Sequence, residues 1–122
     1  MTYMKNKRKI GADYEKKAVE YLRQQGFSIL EQNYYSRCGE IDIIAKDGSY
    51  LVFVEVKYRS STSCGNPLEA VNAKKQKHIC RTAFYFCVSH GYLDTTPCRF
   101  DVIAMLGEDE IVHVKDAFPF QL

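Results

Sequence analysis

Apolar positions between residues 11 and 25 recur at helical spacing. Ala12, Ala18, Val19 and Leu22 fall on one stripe, and Gly26 supplies a stop, so the pattern predicts a helix over Gly11–Gln25. The period then shortens. FSILEQNYY (residues 27–35) reads as a strand, and a polar turn follows around Ser36–Gly39. GEIDIIA from Gly39 reads as a second strand, and Asp47-Gly48 as a hairpin turn into a third, YLVFVEVKYRSS, from Tyr50. Three strands in this order predict an antiparallel meander with the second and third directly paired.

Residues Ser60–Pro67 (SSTSCGNP) are rich in turn formers and predict a loop. Asn72 is placed to cap a helix running to about His90, with Gln76, Ile79, Cys80, Ala83, Phe86 and Cys87 as its inner stripe and Gly91 as its end. RFDVIAML (99–106) is a fourth strand, GEDE a turn and IVHV a short edge strand. A strand–helix–strand crossover makes the third and fourth strands parallel neighbours. Nothing in the chain reads as a repeat or a linker. The expected fold is a single α/β domain over residues 1–122, with a mixed central sheet (the three-strand meander plus a parallel crossover strand) flanked by helices.

Certain polar residues stand where this pattern demands apolar ones. In the third strand Val52, Val54 and Val56 share one face, and Leu51, Phe53, Glu55 and Lys57 share the other. Apolar residues on both faces mean a strand covered on both sides, so Glu55 and Lys57 must sit at its mouth, meet partners or do chemistry. In the second strand Glu40 and Asp42 are expected on one face, Ile41 and Ile43 on the other. Glu15 interrupts the first helix's stripe, and Gln76 interrupts the second's. These side chains would converge on one edge of an apolar sheet. Carboxylates so close repel, at a cost of several kcal/mol each when buried, and a divalent cation offsets that cost. Oxygen ligands without His or Cys favour Mg²⁺ or Mn²⁺. The expected ligands are Asp42, Glu55, Glu15 and a strand carbonyl at Val56, with Lys57 stabilising charge in a phosphoryl-transfer reaction. Removing Glu55 is accordingly expected to stabilise the metal-free protein. The competing reading, a salt-bridge cluster of Lys57 with Glu55 or Asp42, leaves Glu15 and Gln76 unexplained.

Composition narrows the classes. The chain has 122 residues, 46% hydrophobic and 26% charged, which is globular usage. No apolar run approaches the roughly 20 residues of a membrane span. The five cysteines (Cys38, Cys64, Cys80, Cys87, Cys98) contain no C-x-x-C pair, and His78, His90 and His113 lack ligand spacing, so a zinc site is not expected. Reduced thiols and the lack of a secretory segment point to the cytoplasm. The net charge is only +2, but Lys5, Lys7, Arg8 and Lys9 form one basic cluster, and Lys74, Lys75, Lys77 and Arg81 form another. A one-sided basic surface suits a polyanion partner, with Arg59 at the end of the third strand as a further phosphate contact.

The stretches GADYEKKA, GEIDIIA, FVEVKYRS, GNPLEAVNAKKQ and RFDVIA also carry a resemblance, spanning nearly the whole chain, to the small, uncharacterised YraN-like bacterial family. That family resembles PD-(D/E)xK nucleases, in particular archaeal Holliday-junction resolvases. The resemblance implies a restriction-endonuclease-like fold and a Mg²⁺-dependent endonuclease acting on DNA. In that case Asp42 is the motif aspartate, Glu55 and Lys57 the E-x-K pair, and Glu15 the acid of the first helix, while Gln76 and Lys75 lie near the metal or the DNA backbone. The motif's proline is replaced by Ile41. A junction-cutting enzyme of this size implies a homodimer, for which Tyr85, Tyr92, Phe118 and Phe120 offer aromatic surface. The alternative is a catalytically inert nucleic-acid-binding or scaffold protein that retains the nuclease fold.

Overall fold

The computed structural model describes residues 3–59, 71–107 and 110–122, with side chains described from residue 13 onward and not at residue 59. The expected loop Ser60–Pro67, with Cys64, lies outside the described residues. So do the side chains of Lys5–Lys9, Ala12 and Arg59.

Seven elements follow in order: α1 (Tyr3–Gln24), β1 (Ser28–Ser36), β2 (Gly39–Asp47), β3 (Tyr50–Arg59), α2 (Ala73–His90), β4 (Cys98–Leu106) and β5 (Glu110–Val114). The strands form one sheet in the order β1-β2-β3-β4-β5. Pairing is antiparallel from β1 to β3, parallel between β3 and β4, and antiparallel again at β5. The meander and the crossover are therefore as the sequence predicts.

One boundary differs by more than a residue or two. α1 begins at Tyr3 and not at Gly11, because a glycine inside a helix costs only about 1 kcal/mol and the three lysines and one arginine before it are good helix formers. The limits of α2 follow the sequence closely. Asn72 Oδ1 accepts from the Lys75 N–H at 2.9 Å, and Gly91 ends the helix in the left-handed region at φ 75°, which costs a glycine nothing.

Alternation along β3 sends its two faces into two cores. Leu51 and Phe53 pack with Ile79, Cys80, Ala83 and Phe86 of α2, and with Phe100 and Phe118. Val52 and Val54 pack with Ala18, Val19 and Leu22 of α1, and with Ile103. The two helices thus cover opposite faces of the sheet. Each fully buried Val, Leu, Ile or Phe side chain here stabilises by about 1.5–3 kcal/mol.

Alternation fails opposite Asn33, and the failure shapes the site. Ile41 belongs to the α2-side core and Ile43 to the α1-side core, whereas strict alternation would put both on one face. The partners Tyr34↔Ile41 and Gln32↔Ile43 set Asn33 opposite Asp42, and Asn33 is left-handed at φ 53°. A left-handed residue swings the strand, so the side chains before and after it change faces.

Asp101 is buried and fully compensated. Its carboxylate accepts from Arg99 Nε at 2.8 Å and Nη2 at 3.0 Å, from His113 Nε2 at 2.8 Å and from the Asp116 N–H at 3.1 Å. Burial alone would raise its pKa, but the bonds from His113, Arg99 and Asp116 outweigh it and hold the group below the ordinary value. The other ring nitrogen of His113, Nδ1, shares a hydrogen bond with the Tyr21 hydroxyl at 3.0 Å. This chain of bonds ties α1 to β4 and β5. Among the described residues no helix is long and apolar enough to cross a membrane.

Candidate functional site

The site lies where β2 and β3 part. Their pairing runs from Asp47↔Tyr50 to Ile43↔Val54, while β3 continues alongside β4 to Arg59↔Leu106. Beyond Ile43 the Asp42 side chain replaces the ladder, its Oδ2 accepting from the Val56 N–H at 2.8 Å. A fork of this kind leaves side chains of both strands facing a shared gap.

Three carboxylates meet in that gap. Glu15 of α1 and Glu40 and Asp42 of β2 each offer an oxygen, and these oxygens all lie within 4.8 Å of one another. Asn33 stands between two of them. With its amide turned as its neighbours require, its nitrogen donates to Glu15 Oε2 at 3.2 Å and to Glu40 Oε1 at 3.0 Å. Crowding shows in the titration of these groups. Burial first, then Glu55, Glu15 and Glu40, push Asp42 up to about 7 against the pull of the Val56 N–H. Glu15 is also raised, by burial and by Glu40 and Glu55, despite the bond from Asn33.

Glu55 stands beside this trio with different company. It is 4% exposed, and its Oε1 lies 3.3 Å from Lys57 Nζ and 3.7 Å from Lys75 Nζ. Two lysines, one from its own strand and one from the first turn of α2, neutralise it. The sequence pairs Glu55 with Lys57, which is seen; the second lysine is a structural finding. It offsets part of the repulsion that Glu55 exerts on Asp42, which the position of Asp42's titration still registers.

The other expected site residues are distributed as follows. Gln76 donates from Nε2 to the Val71 carbonyl at 2.9 Å and accepts from Gln121 Nε2 at 3.0 Å, so its amide is spent on anchoring the start of α2 and the chain's C-terminus. Val56 meets Asp42 through its N–H. Lys74, Lys77 and Arg81 are exposed along α2 at i, i+3 and i+7, one stripe of the helix. Of the aromatic residues expected at a dimer surface, Tyr85 and Phe120 are each 52% exposed. Phe118 is buried, stacked on Phe100 at 5.1 Å, and Tyr92 is half-buried against Phe86.

Two contributors are missing from the expected ligand set. Glu40 shares a face with Asp42 in the sequence reading but looks like an exposed first residue of a strand. Asn33 carries a signal that could have found it: asparagine is depleted in strands and tolerates the left-handed conformation. Next to the carboxylates a groove of about 420 Å³ runs between α1 and β1, bordered by Lys16, Arg23, Gln32 and Asn33.

Chemically, an all-oxygen donor set of three carboxylates fits a hard divalent cation, since it carries excess negative charge and no soft ligand. Fold and site together define a small α/β protein with an acid-lined fork in its sheet and lysines at its rim. The chain belongs to the uncharacterised protein family UPF0102, whose family model matches residues 14–105; every carboxylate and lysine of the fork falls within that span. It is 49% identical over 113 residues to a UPF0102 protein of Lachnoclostridium phytofermentans, covering 93% of this chain and 95% of that one. A Clostridioides difficile relative is 48% identical over 116 residues, with 94% and 100% covered. One from Coxiella burnetii strain RSA 493 is 38% identical over 109 residues, with 89% and 91% covered. The uncharacterised bacterial family to which the sequence motifs point is thereby borne out.

Proposed function

We propose that this protein is a metal-dependent endonuclease that hydrolyses phosphodiester bonds of DNA, branched DNA foremost. The observation carrying the reading is the convergence of Glu15, Glu40 and Asp42 within 4.8 Å, beside a buried glutamate flanked by two lysines. Glu15, Glu40 and Asp42 would hold Mg²⁺ or Mn²⁺, with Glu55 and the Val56 carbonyl alongside. When bound, the cation supplies Lewis-acid polarisation of the phosphoryl group and a water of lowered pKa.

The chain's own residues do the rest. The Val56 N–H fixes the direction of the Asp42 carboxylate, and Asn33 holds Glu15 and Glu40 toward each other. Lys57, kept in place by Glu55, brings a positive charge to the rim, where negative charge grows on the phosphoryl oxygens in the transition state. Lys74, Lys77 and Arg81 form a stripe that suits a phosphate backbone, and two copies of the chain would present two sites to the two strands of a junction.

The pairing of Glu55 with Lys57 and Lys75 also suits a second reading, a nucleic-acid-binding or scaffold protein whose acids are internally neutralised. One experiment separates the two. Calorimetric titration with Mn²⁺ is run beside a cleavage panel of four-way junction, flap, single strand, plain duplex and structured RNA. Metal binding and metal-dependent cutting that Asp42→Ala abolishes support the nuclease. DNA binding without either selects the scaffold.

A further inference from the structure

Far from the carboxylates, at the other end of α2, two sulfur atoms touch. Cys87 Sγ lies 3.8 Å from Cys98 Sγ. Cys87 is buried in the last turns of α2, while Cys98 opens β4 and is exposed. Both border a cavity of about 330 Å³ walled by Ala83, Phe84, Leu93 and Phe120. The other described thiols are placed differently: Cys80 is buried and directed at the Pro119 carbonyl, and Cys38 is half-buried near Ser36.

We propose that Cys98 and Cys87 form a redox-active dithiol, a modification site that takes up a hydroperoxide and closes to a disulfide. The asymmetry of the pair assigns the roles. Cys98 is reachable, and the hydrogen bond from Cys87 lowers its pKa to about 7 in spite of burial. The same bond, with burial, raises Cys87. Cys98, the exposed sulfur, is therefore the one that attacks once deprotonated, and buried Cys87 is the resolving thiol.

In the first step Cys98 sulfur bonds to one peroxide oxygen and the O–O bond breaks. The leaving oxygen takes a proton as water or alcohol, leaving a sulfenic acid. In the second, Cys87 sulfur attacks Cys98 sulfur, the S–O bond breaks, and hydroxide leaves with the Cys87 proton as water. Two thiols have lost two electrons and two protons to the hydroperoxide. A disulfide bond is about 2.05 Å long, so the sulfurs must close by somewhat under 2 Å. The cavity beside them and the exposed end of β4 leave room for that movement.

The test uses the reduced full-length chain in native buffer, treated with hydrogen peroxide, and counts and maps its thiols. The expected count falls from the five cysteines of the sequence to three, with a Cys87–Cys98 cross-linked peptide that dithiothreitol reverses. In Cys87→Ser the cross-link is lost and Cys98 is trapped as its dimedone adduct. Should Cys87→Ser not fold, Cys98→Ser, at an exposed position, must abolish the cross-link on its own. Five unchanged thiols, a bridge through Cys38 or Cys64, or Cys98 passing to sulfinic acid without a cross-link would each overturn the proposal.

Discussion

Asp42 Oδ2 accepts the Val56 N–H at 2.8 Å, at the first position beyond the last pairing of β2 with β3. A side chain here does what a strand carbonyl would do further along. One bond therefore both ends the ladder and aims a carboxylate.

That carboxylate should make stability depend on pH. Asp42 titrates at about 7 in the folded chain against an ordinary 3.8, so folding favours its protonated form. Its contribution is fully present below about pH 4 and is lost as pH rises toward 7. In metal-free buffer the melting temperature should fall between about pH 4 and 7. Asp42→Asn should flatten this slope and be the more stable protein at pH 8. Equal slopes in thermal melts of the two proteins would refute the assignment.

Glu40→Gln should weaken Mn²⁺ binding at least tenfold while leaving the fold intact, because its carboxylate lies with Glu15 and Asp42 at the half-exposed edge of the fork. Calorimetry on wild type and variant checks this. An unchanged affinity would return the third ligand position to Glu55.

Lys57→Ala is expected to lower cleavage by roughly 10²–10³-fold and leave DNA affinity near wild type, since its charge acts mainly in the transition state. Single-turnover cleavage and a binding isotherm on the same four-way junction measure both. Full cleavage without Lys57 would remove it from the chemistry.

Neutralising Lys77 and Arg81 together should weaken binding to all duplex sequences alike. The slope of log affinity against log salt should flatten by about 0.9 for each phosphate that no longer meets a cation. A salt titration with the slope unaltered would move the DNA surface to another face of the protein.

The sheet is legible in the sequence because its strongest signals are local. β3 alternates without interruption, Asp47-Gly48 turns the hairpin, and Asn72 and Gly91 bound α2 with capping chemistry. The site is legible as a set of misplaced polar residues, and Glu15, Asp42, Glu55 and Lys57 do gather at one fork. What stays hidden depends on three-dimensional detail. Ile41 and Ile43 lie on different faces where Asn33, on the neighbouring strand, turns left-handed. Lys75 reaches Glu55 only because the start of α2 is set down beside the end of β3, a placement no periodicity encodes. Phe118 reads as surface because its cover, Phe100, lies eighteen residues earlier. Gly11 reads as a helix start when its cost is weighed without the helix formers around it.

The bond between Tyr21 and His113 has a consequence for the carboxylates. Glu15 precedes Tyr21 by six residues, about 9 Å along the helix axis. A helix is torsionally stiff over so short a span, so any roll of α1 at Tyr21 arrives at Glu15 almost undiminished. The azimuth of the first acid is thus set partly from β5, through an imidazole that itself rests on Asp101, beside the packing of Ala18, Val19 and Leu22. A substitution at His113 would leave every carboxylate of the fork in the sequence and misalign one of them.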